Sequence, residues 1–211
     1  MNLRLLTLAT LLLAPAFAQA QDSFGGGKPA QQTKPVAPAA DARRPAPPNP
    51  PPARSTDPER QDLGVPATSQ LHTGAMHGPT PSTIPGGQVI TTVGLQDLVA
   101  KRQTPFLLLD ILGGPQIIPG AQFAVPAAQA GSFNDATQQQ FGQYLQQATR
   151  GNKEYPLVLY CQSRECWMSY NAALRAINLG YTNVLWYRGG IEAWQAAGQP
   201  VQQAGGGAPQ R

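Results

Sequence analysis

Short apolar runs alternate with segments of helical spacing from about residue 89 onwards. The apolar runs predict strands, and continuous runs of this kind are typical of strands buried on both faces of a parallel sheet. They are Val89-Ile90, Phe106–Leu109, Leu157–Tyr160 and Val184–Tyr187. Between and after them, apolar residues recur at helical spacing and predict helices. Those segments carry Leu95, Leu98 and Val99; then Phe141, Tyr144, Leu145 and Ala148; then Trp167 to Leu179; and finally Ile191 to Ala197.

Residues suited to helix ends flank these segments. Thr92 and Asn134 are expected to cap helix starts through their side-chain oxygens, and Gly151 and Gly180 are expected to end helices. Strands that alternate with helices predict βαβ units and a parallel sheet, so the fold class is α/β. In such sheets ligands bind outside the carboxyl ends of the strands. Cys161 follows Tyr160 at one of these ends.

Upstream of Ile84 the composition changes. Residues 21–83 are dominated by Pro, Ala, Gln, Gly and Ser, and Pro45–Pro52 is nearly continuous proline. Large apolar residues are too scattered to offset the entropy of ordering, so this segment is predicted to be a disordered Pro-rich linker. His72 and His77 lie in it and are expected to be solvated, because no ligand set surrounds them.

The N-terminus is typical of a secretory signal peptide over residues 1–20. Arg4 precedes the apolar run Leu5–Leu13, and Ala18-Gln19-Ala20 predicts cleavage after Ala20. The alternative is an uncleaved anchor, although the run is short for a membrane span. We expect a periplasmic or secreted protein that has no membrane contact after cleavage. Residues 204–211 are Gly-rich and are predicted to form a disordered tail.

Charge and cysteine content narrow the function. The formal net charge is +4, only 12% of residues are charged, and no basic stripe with interleaved aromatics occurs, so nucleic acid is not an expected partner. The chain has 2 cysteines, which are too few to scaffold a fold by disulfides. In an oxidising compartment, however, a nearby pair of thiols will tend to bond.

The segment from Cys161 to Trp167 joins a predicted buried strand to a predicted helix. Such a loop can curl so that successive backbone N–H groups form an anion nest, and the helix N-terminus adds further donors. These donors would lower the pKa of the Cys161 thiol and stabilise a thiolate or a persulfide. The residues expected to bind substrate are Gln162, Ser163, Arg164, Glu165 and Trp167, with Arg164 contributing positive charge.

An ordered set of motifs around this loop resembles the rhodanese domain over residues 84–203. The motifs are Leu109-Asp110, Ile118-Pro119-Gly120-Ala121, Val125-Pro126, Leu157–Cys161, Gly180-Tyr181 with Asn183-Val184, and Gly189-Gly190 with Trp194. The resemblance implies a parallel sheet flanked by helices and sulfur transfer through a persulfide on Cys161. It implies a small sulfur donor and a thiol acceptor as partners, and no cofactor or metal is expected.

A narrower resemblance begins at the second cysteine. The run Cys166–Ala173 is similar to a rhodanese-related group of exported proteins that carry a Cys-x-x-Cys-Trp motif and are linked to PQQ-dependent catabolism. Here four residues, not two, separate the cysteines. Other positions depart from the pattern of many active rhodaneses, which has Arg where this chain has Gln162 and Cys166, and Gly where it has Arg164. Ile111 stands where Arg is usual, and Ile117 where His is familiar.

Several roles stay open on the sequence alone. Cys161 is either the nucleophile or an ordinary buried thiol. Cys166 is a partner in a permanent disulfide, one half of a reversible bridge, or a resolving thiol that attacks a persulfide. Asp110 is expected to support the site by fixing a loop at its strand end. Trp186 and Trp194 are expected to pack, and Arg188 either faces the crevice or is solvated.

Two functions follow from these readings. The first is an exported sulfurtransferase, with redox exchange involving Cys166. The alternative is a catalytically idle rhodanese-fold module that binds a partner protein in the periplasm.

Overall fold

A computed structural model describes residues 58–101 and 104–205. The strands are β1 (Gln88–Ile90), β2 (Leu107–Asp110), β3 (Gln116–Ile117), β4 (Gln122–Phe123), β5 (Leu157–Tyr160), β6 (Val184–Tyr187) and β7 (Gln202–Gln203). The α-helices are α1 (Thr92–Lys101), α2 (Ala136–Ala148), α3 (Trp167–Asn178) and α4 (Gly190–Ala196). Short 3-10 helices occupy Pro58–Arg60 and Val125–Ala128.

The main sheet has five strands in the order β1-β6-β5-β2-β4, and every pair in it is parallel. The central strand β5 is completely buried, since each residue from Leu157 to Tyr160 is 0% exposed. A strand can be apolar on both faces only if helices cover both faces, as predicted from its continuous apolar run. The α/β fold with a parallel sheet flanked by helices is therefore confirmed.

Successive residues of β5 point to opposite faces of the sheet and thereby define two cores. Leu157 and Leu159 pack in one core with side chains of α2 and α3. Val158 and Tyr160 pack in the other with side chains of α1 and α4. A small antiparallel pair, β3 with β7, lies outside the main sheet. This arrangement leaves the carboxyl end of β5 at the centre of the sheet edge.

Two predicted helix caps are displaced by one residue. Asp135, not Asn134, caps α2, because its carboxylate accepts the Gln138 N–H at 2.8 Å. At α1 the Thr91 hydroxyl accepts the Gly94 N–H at 3.3 Å, so Thr92 is the first helical residue rather than the cap. A carboxylate is a good cap because its charge also complements the positive end of the helix.

Residues 58–83, here called the strap, differ from the predicted disordered linker. Leu71 is 9% exposed and Thr80 is 0% exposed, so both are buried against the domain. The strap has few apolar residues to bury, as the composition indicated. Its backbone polar groups are instead bonded by buried side chains of α3 and of the residue after β6, which a sequence pattern does not reveal. The remainder of the predicted linker, the signal peptide and residues 206–211 lie outside the described residues.

Within the described ranges, no helix has the length and apolar character needed to cross a membrane.

Candidate active site

Cys161 lies immediately after β5, at the carboxyl end of the central strand, as predicted. The start of α4 docks directly on its backbone: the Ile191 N–H donates to the Cys161 carbonyl at 2.9 Å, and the Glu192 N–H donates to the Gln162 carbonyl at 3.0 Å. Gly190 permits this approach, because it has φ +65° and a Cβ added there would lie 2.5 Å from the Cys161 carbonyl oxygen. Only glycine meets both requirements.

Cys161 and Cys166 form a disulfide. Their Cα atoms are 6.4 Å apart, within the limit of about 7 Å for a bridge. The two residues are 1% and 2% exposed. The loop between them therefore curls tightly enough to bring the first and last residues together, and no free thiol remains in this form of the protein.

Two buried side chains line the Cys161 sulfur. Ser169, on the first turn of α3, places its hydroxyl oxygen 3.4 Å from Cys161 Sγ. The Trp186 indole on β6 donates from Nε1 to the same hydroxyl at 3.0 Å. Ser169 is 1% exposed and Trp186 is 0% exposed. Neither was predicted to contact the sulfur; the sequence signal was a serine in an otherwise apolar, alanine-rich helix.

The anion nest expected around Cys161 is only partial. The Cys166 N–H donates to the Ser163 carbonyl at 3.2 Å, and the Trp167 N–H donates to the Met76 carbonyl of the strap at 2.9 Å. The Glu165 N–H lies 3.3 Å from the Ser163 hydroxyl. These amides serve the loop and the strap rather than the sulfur, because the strap runs alongside the loop and competes for its donors.

The strap pairs with the loop along its last residues. His77 and Cys166 form an antiparallel bridge, and the Gly78 N–H donates to the Glu165 carbonyl at 2.8 Å. The Thr80 hydroxyl donates to the Arg164 carbonyl at 2.5 Å. His77 was predicted to be a solvated linker residue, and this pairing corrects that prediction for its backbone.

The predicted substrate-binding residues fall into different environments. The Arg164 guanidinium donates to the Pro58 carbonyl at 3.2 Å and to Gln61 Oε1 at 2.6 Å, so the strap already occupies its donors. Gln162 donates from Nε2 to Glu192 at 2.7 Å. Glu165 is exposed and Ser163 is half-buried.

Trp167 is buried and stacks on His72 of the strap, with ring centroids 4.1 Å apart. His72 is therefore packed rather than solvated, which contradicts the prediction. The two residues that follow Ser169 on α3 also bind the strap. The Tyr170 hydroxyl accepts the Thr68 N–H at 3.0 Å and donates to the Thr68 carbonyl at 2.8 Å.

Asn171 is 0% exposed and binds the strap as a neighbouring strand would. Its Oδ1 accepts the His72 N–H at 2.8 Å, and its Nδ2 donates to the His72 carbonyl at 2.9 Å. The run from Cys166 to Asn171 thus does two things: it lines the sulfur of Cys161 and it holds the strap.

Arg188 follows β6 and is 0% exposed, so the open question of its position is answered. Nη1 donates to the carbonyls of Glu59 and Gln61 at 2.8 Å each. Nε donates to the Thr80 hydroxyl at 3.1 Å and Nη2 donates to the Thr80 carbonyl at 2.8 Å. Burial lowers the pKa of the Arg188 guanidinium. Its donors are used to hold the strap.

Asp110 ends β2 beside the loop and has a supporting contact set. Its Oδ1 accepts the N–H groups of Leu112 and Gly113 at 2.8 Å each, which fixes the loop after the strand. Its Oδ2 accepts the Tyr160 hydroxyl at 2.6 Å. Burial, reinforced by the neighbouring Asp110 carboxylate, raises the pKa of Tyr160.

A cavity of about 500 Å³ opens beside the loop. Its walls come from the strap, the loop and the start of α1 and α4, and include Glu59, Thr92, Ser163, Arg164 and Glu192. Ala193, Ala196 and Ala197 form an apolar part of its lining. No group of three or more His, Cys, Asp or Glu side chains suited to a metal occurs in the part of the chain that the structure describes.

A parallel α/β domain with a cysteine at the carboxyl end of its central strand is thus defined by fold and site. Residues 101–197 match the model of the rhodanese-like domain family, described as "Rhodanese-like domain". The chain therefore carries a rhodanese-like domain. Among proteins whose functions have been curated, no significant match was found.

Solved structures show the same likeness in fold. The rhodanese-like domain of the Alr3790 protein from Anabaena is 18% identical, with 58% of this chain and 84% of that chain covered and a TM-score of 0.39. A thiosulfate sulfurtransferase from Pseudomonas aeruginosa is 20% identical, with 55% and 20% covered and a TM-score of 0.42. A yeast protein tyrosine phosphatase of the rhodanese family is 16% identical, with 54% and 88% covered and a TM-score of 0.41.

Proposed function

We propose that this protein is an exported sulfurtransferase that carries sulfane sulfur as a persulfide on Cys161 and releases it with the help of Cys166. The observation that supports the proposal most directly is the bond between the two cysteines at the carboxyl end of β5. A thiol placed at that end of a parallel sheet lies where α/β folds bind ligands. A second thiol within bonding reach can resolve an intermediate formed on the first.

The first step starts from the reduced pair. The Cys161 thiolate attacks the outer, sulfane sulfur of a small donor such as a thiosulfonate. A new S–S bond forms on Cys161, the donor's S–S bond breaks, and a sulfinate leaves with the electron pair. Charge is conserved, because one thiolate and one thiosulfonate anion become one persulfide anion and one sulfinate anion.

The second step uses Cys166. Its thiol gives the bonding electrons to Cys161 Sγ, so the Cys161–Cys166 disulfide forms and the outer sulfur leaves as hydrosulfide, which carries away the thiol proton. The disulfide of the structure is the product of this step. Two equivalents of an external thiol then reduce it and become a disulfide themselves. The thiol acceptor of the cycle is therefore also its reductant.

Access to Cys161 sets a requirement on this cycle. Because Cys161 is 1% exposed beneath the strap, a donor reaches Sγ only when the strap residues next to the loop move aside. Such movement would also release Arg164 from Pro58 and Gln61, so that its guanidinium becomes free to attract an anionic donor.

The proposal includes export through a cleaved signal peptide over residues 1–20. N-terminal sequencing of the protein recovered from the periplasm or the medium should begin at Gln21. Recovery of the protein only in membranes, with Met1 retained, would contradict this part.

Mass spectrometry of the mature, pre-reduced chain tests the transfer itself. With a thiosulfonate, the Cys166→Ser variant should gain one sulfur atom and keep it. The wild-type chain should release hydrosulfide and lose two hydrogens as the disulfide forms. Cys161→Ser should do neither. Sulfur uptake by Cys161→Ser would overturn the assignment of the nucleophile.

A second candidate function is that of a partner-binding module with an idle loop. The observation that favours it is the strap, which occupies both the loop amides and the Arg164 donors. If pre-reduced protein takes up no sulfur from thiosulfate, thiosulfonate or polysulfide, while its disulfide forms and is reduced normally, this second function is favoured.

A further inference from the structure

We propose that Ser169 is a positioning residue for Cys161, whose hydroxyl hydrogen bond stabilises the anionic sulfur. This deepens the proposed function, because a sulfurtransferase needs Cys161 as a thiolate and then as a persulfide anion. Ser169 has not been singled out by the family resemblance. The inference comes from three buried groups that meet in the core: the Cys161 sulfur, the Ser169 hydroxyl and the Trp186 indole.

The direction of the hydrogen bonds is determined by chemistry. An indole N–H is only a donor, so Trp186 Nε1 donates to Ser169 Oγ across 3.0 Å. The serine oxygen is thereby an acceptor toward Trp186, and its own proton is available for another partner. Cys161 Sγ lies 3.4 Å from that oxygen, which is an ordinary distance for a hydrogen bond to sulfur. The serine therefore presents its O–H to the sulfur.

The Cys161 sulfur has a second polar neighbour with the opposite preference. The Cys166 carbonyl oxygen lies 3.4 Å from Sγ. A carbonyl only accepts, so it favours the protonated thiol, whereas the Ser169 O–H favours the thiolate. Burial also favours the neutral thiol, since Cys161 is 1% exposed. Ser169 is the side chain placed to oppose both effects.

Other groups that stabilise anions are used elsewhere. Amides of the loop bond to the Ser163 and Met76 carbonyls, and Arg164 binds the strap. Glu192 accepts from Gln162, Glu165 is exposed, and His72 stacks on Trp167. His77 is bridged to Cys166 through its backbone. Among the described residues, none of these charged or titratable side chains is hydrogen-bonded to Cys161 Sγ.

Trp186 has a role through Ser169. A serine in the first turn of a helix can turn its hydroxyl to a backbone carbonyl instead of a distant partner. The Trp186 N–H approaches from β6 and is best accommodated when the hydroxyl proton points away from it, toward Cys161. Loss of the indole donor should therefore weaken the Ser169–Cys161 bond without removing the hydroxyl.

The test measures the pKa of the Cys161 thiol in the full mature chain. Cys166→Ser serves as the parent so that a single thiol titrates, and the alkylation rate with iodoacetamide is recorded against pH. Ser169→Ala should raise the pKa of Cys161 by about 1 unit or more, since a hydrogen bond to a charged group contributes that much. Ser169→Thr, which keeps the hydroxyl, should restore most of the shift, and Trp186→Phe should give an intermediate value.

Each outcome decides the inference. A Cys161 pKa that is equal in the parent, Ser169→Ala and Trp186→Phe would overturn it. If Ser169→Ala does not fold, the matched pair Ser169→Thr and Ser169→Val decides, because these side chains differ only in the hydroxyl. The alkylation readout needs no sulfur donor. A pKa shift without sulfur uptake in any variant therefore refutes the proposed function and supports the role of Ser169. Sulfur uptake with an unmoved pKa does the reverse.

Discussion

Arg188 holds Thr80 by two hydrogen bonds, from Nε to the hydroxyl at 3.1 Å and from Nη2 to the carbonyl at 2.8 Å. The same Thr80 hydroxyl donates to the Arg164 carbonyl in the loop that carries Cys161. A single buried threonine thus connects the residue after β6 to the candidate active site. The strap is part of the site because of this connection.

Replacing Arg188 should loosen the strap. Lysine keeps the charge but cannot reach four acceptors with a planar fork, so Arg188→Lys should leave buried acceptors unpaired. We expect unfolding by urea to show a loss of about 2 kcal/mol. Limited proteolysis should cleave within residues 62–83 sooner than in the wild type. Arg150→Lys changes an exposed arginine and is the matched control. Equal stability and equal protease resistance of the two variants would contradict the role assigned to Arg188.

Asn171 should control access to the disulfide. Its amide binds both the N–H and the carbonyl of His72, so Asn171→Ala removes two strap contacts and leaves a buried backbone donor unpaired. Reduction of the disulfide by a small thiol, followed by thiol trapping, should become several-fold faster. The exposed Asn134→Ala is the control. An unchanged reduction rate in Asn171→Ala would show that the strap does not limit access.

The pair of Asp135 and Arg175 should make stability depend on acid pH. The carboxylate lies 2.9 Å from the Arg175 guanidinium, which holds the pKa of Asp135 well below its usual range. A lowered folded-state pKa contributes stability above the unfolded-state pKa of about 3.9, and this stability is lost as the pH falls through the folded-state pKa.

Asp135→Asn should therefore lower stability by about 2 kcal/mol near neutral pH, because Arg175 is 0% exposed and loses its charged partner. The difference from the wild type should shrink as the pH falls below about 4. Urea unfolding at several pH values measures it, with the exposed Asp97→Asn as the control. A difference that stays constant down to the lowest pH would contradict the assignment.

Tyr160 should contribute through its hydroxyl. It donates to Asp110 at 2.6 Å and accepts the Ile118 N–H at 3.0 Å, so Tyr160→Phe leaves a buried carboxylate oxygen and a buried amide short of a partner. We expect a loss of about 2 kcal/mol in urea unfolding. Tyr155→Phe is the control, since no hydrogen bond of its hydroxyl is found among the described residues. Equal stability of Tyr160→Phe and wild type would show that water replaces the lost bonds.

The alternating apolar pattern determined the fold class and the place of Cys161. Continuous burial of Leu157–Tyr160 follows from its composition, because a strand without polar residues must be covered on both faces. The nearness of Cys161 and Cys166 also follows from the chain, since five bonds along one curled loop keep the two residues within reach. These features depend on neighbours in sequence and are therefore legible in it.

The strap and the surroundings of the sulfur were decided by tertiary structure. Residues 58–83 have too few apolar side chains to order themselves, and composition alone indicated disorder. Their backbone groups are satisfied by Tyr170, Asn171 and Arg188, which are about 100 residues away along the chain or more. Likewise, Ser169 reaches Cys161 only because β6 places Trp186 beside it. Buried hydrogen bonds between distant residues leave no periodic trace, and only the folded chain brings their partners together.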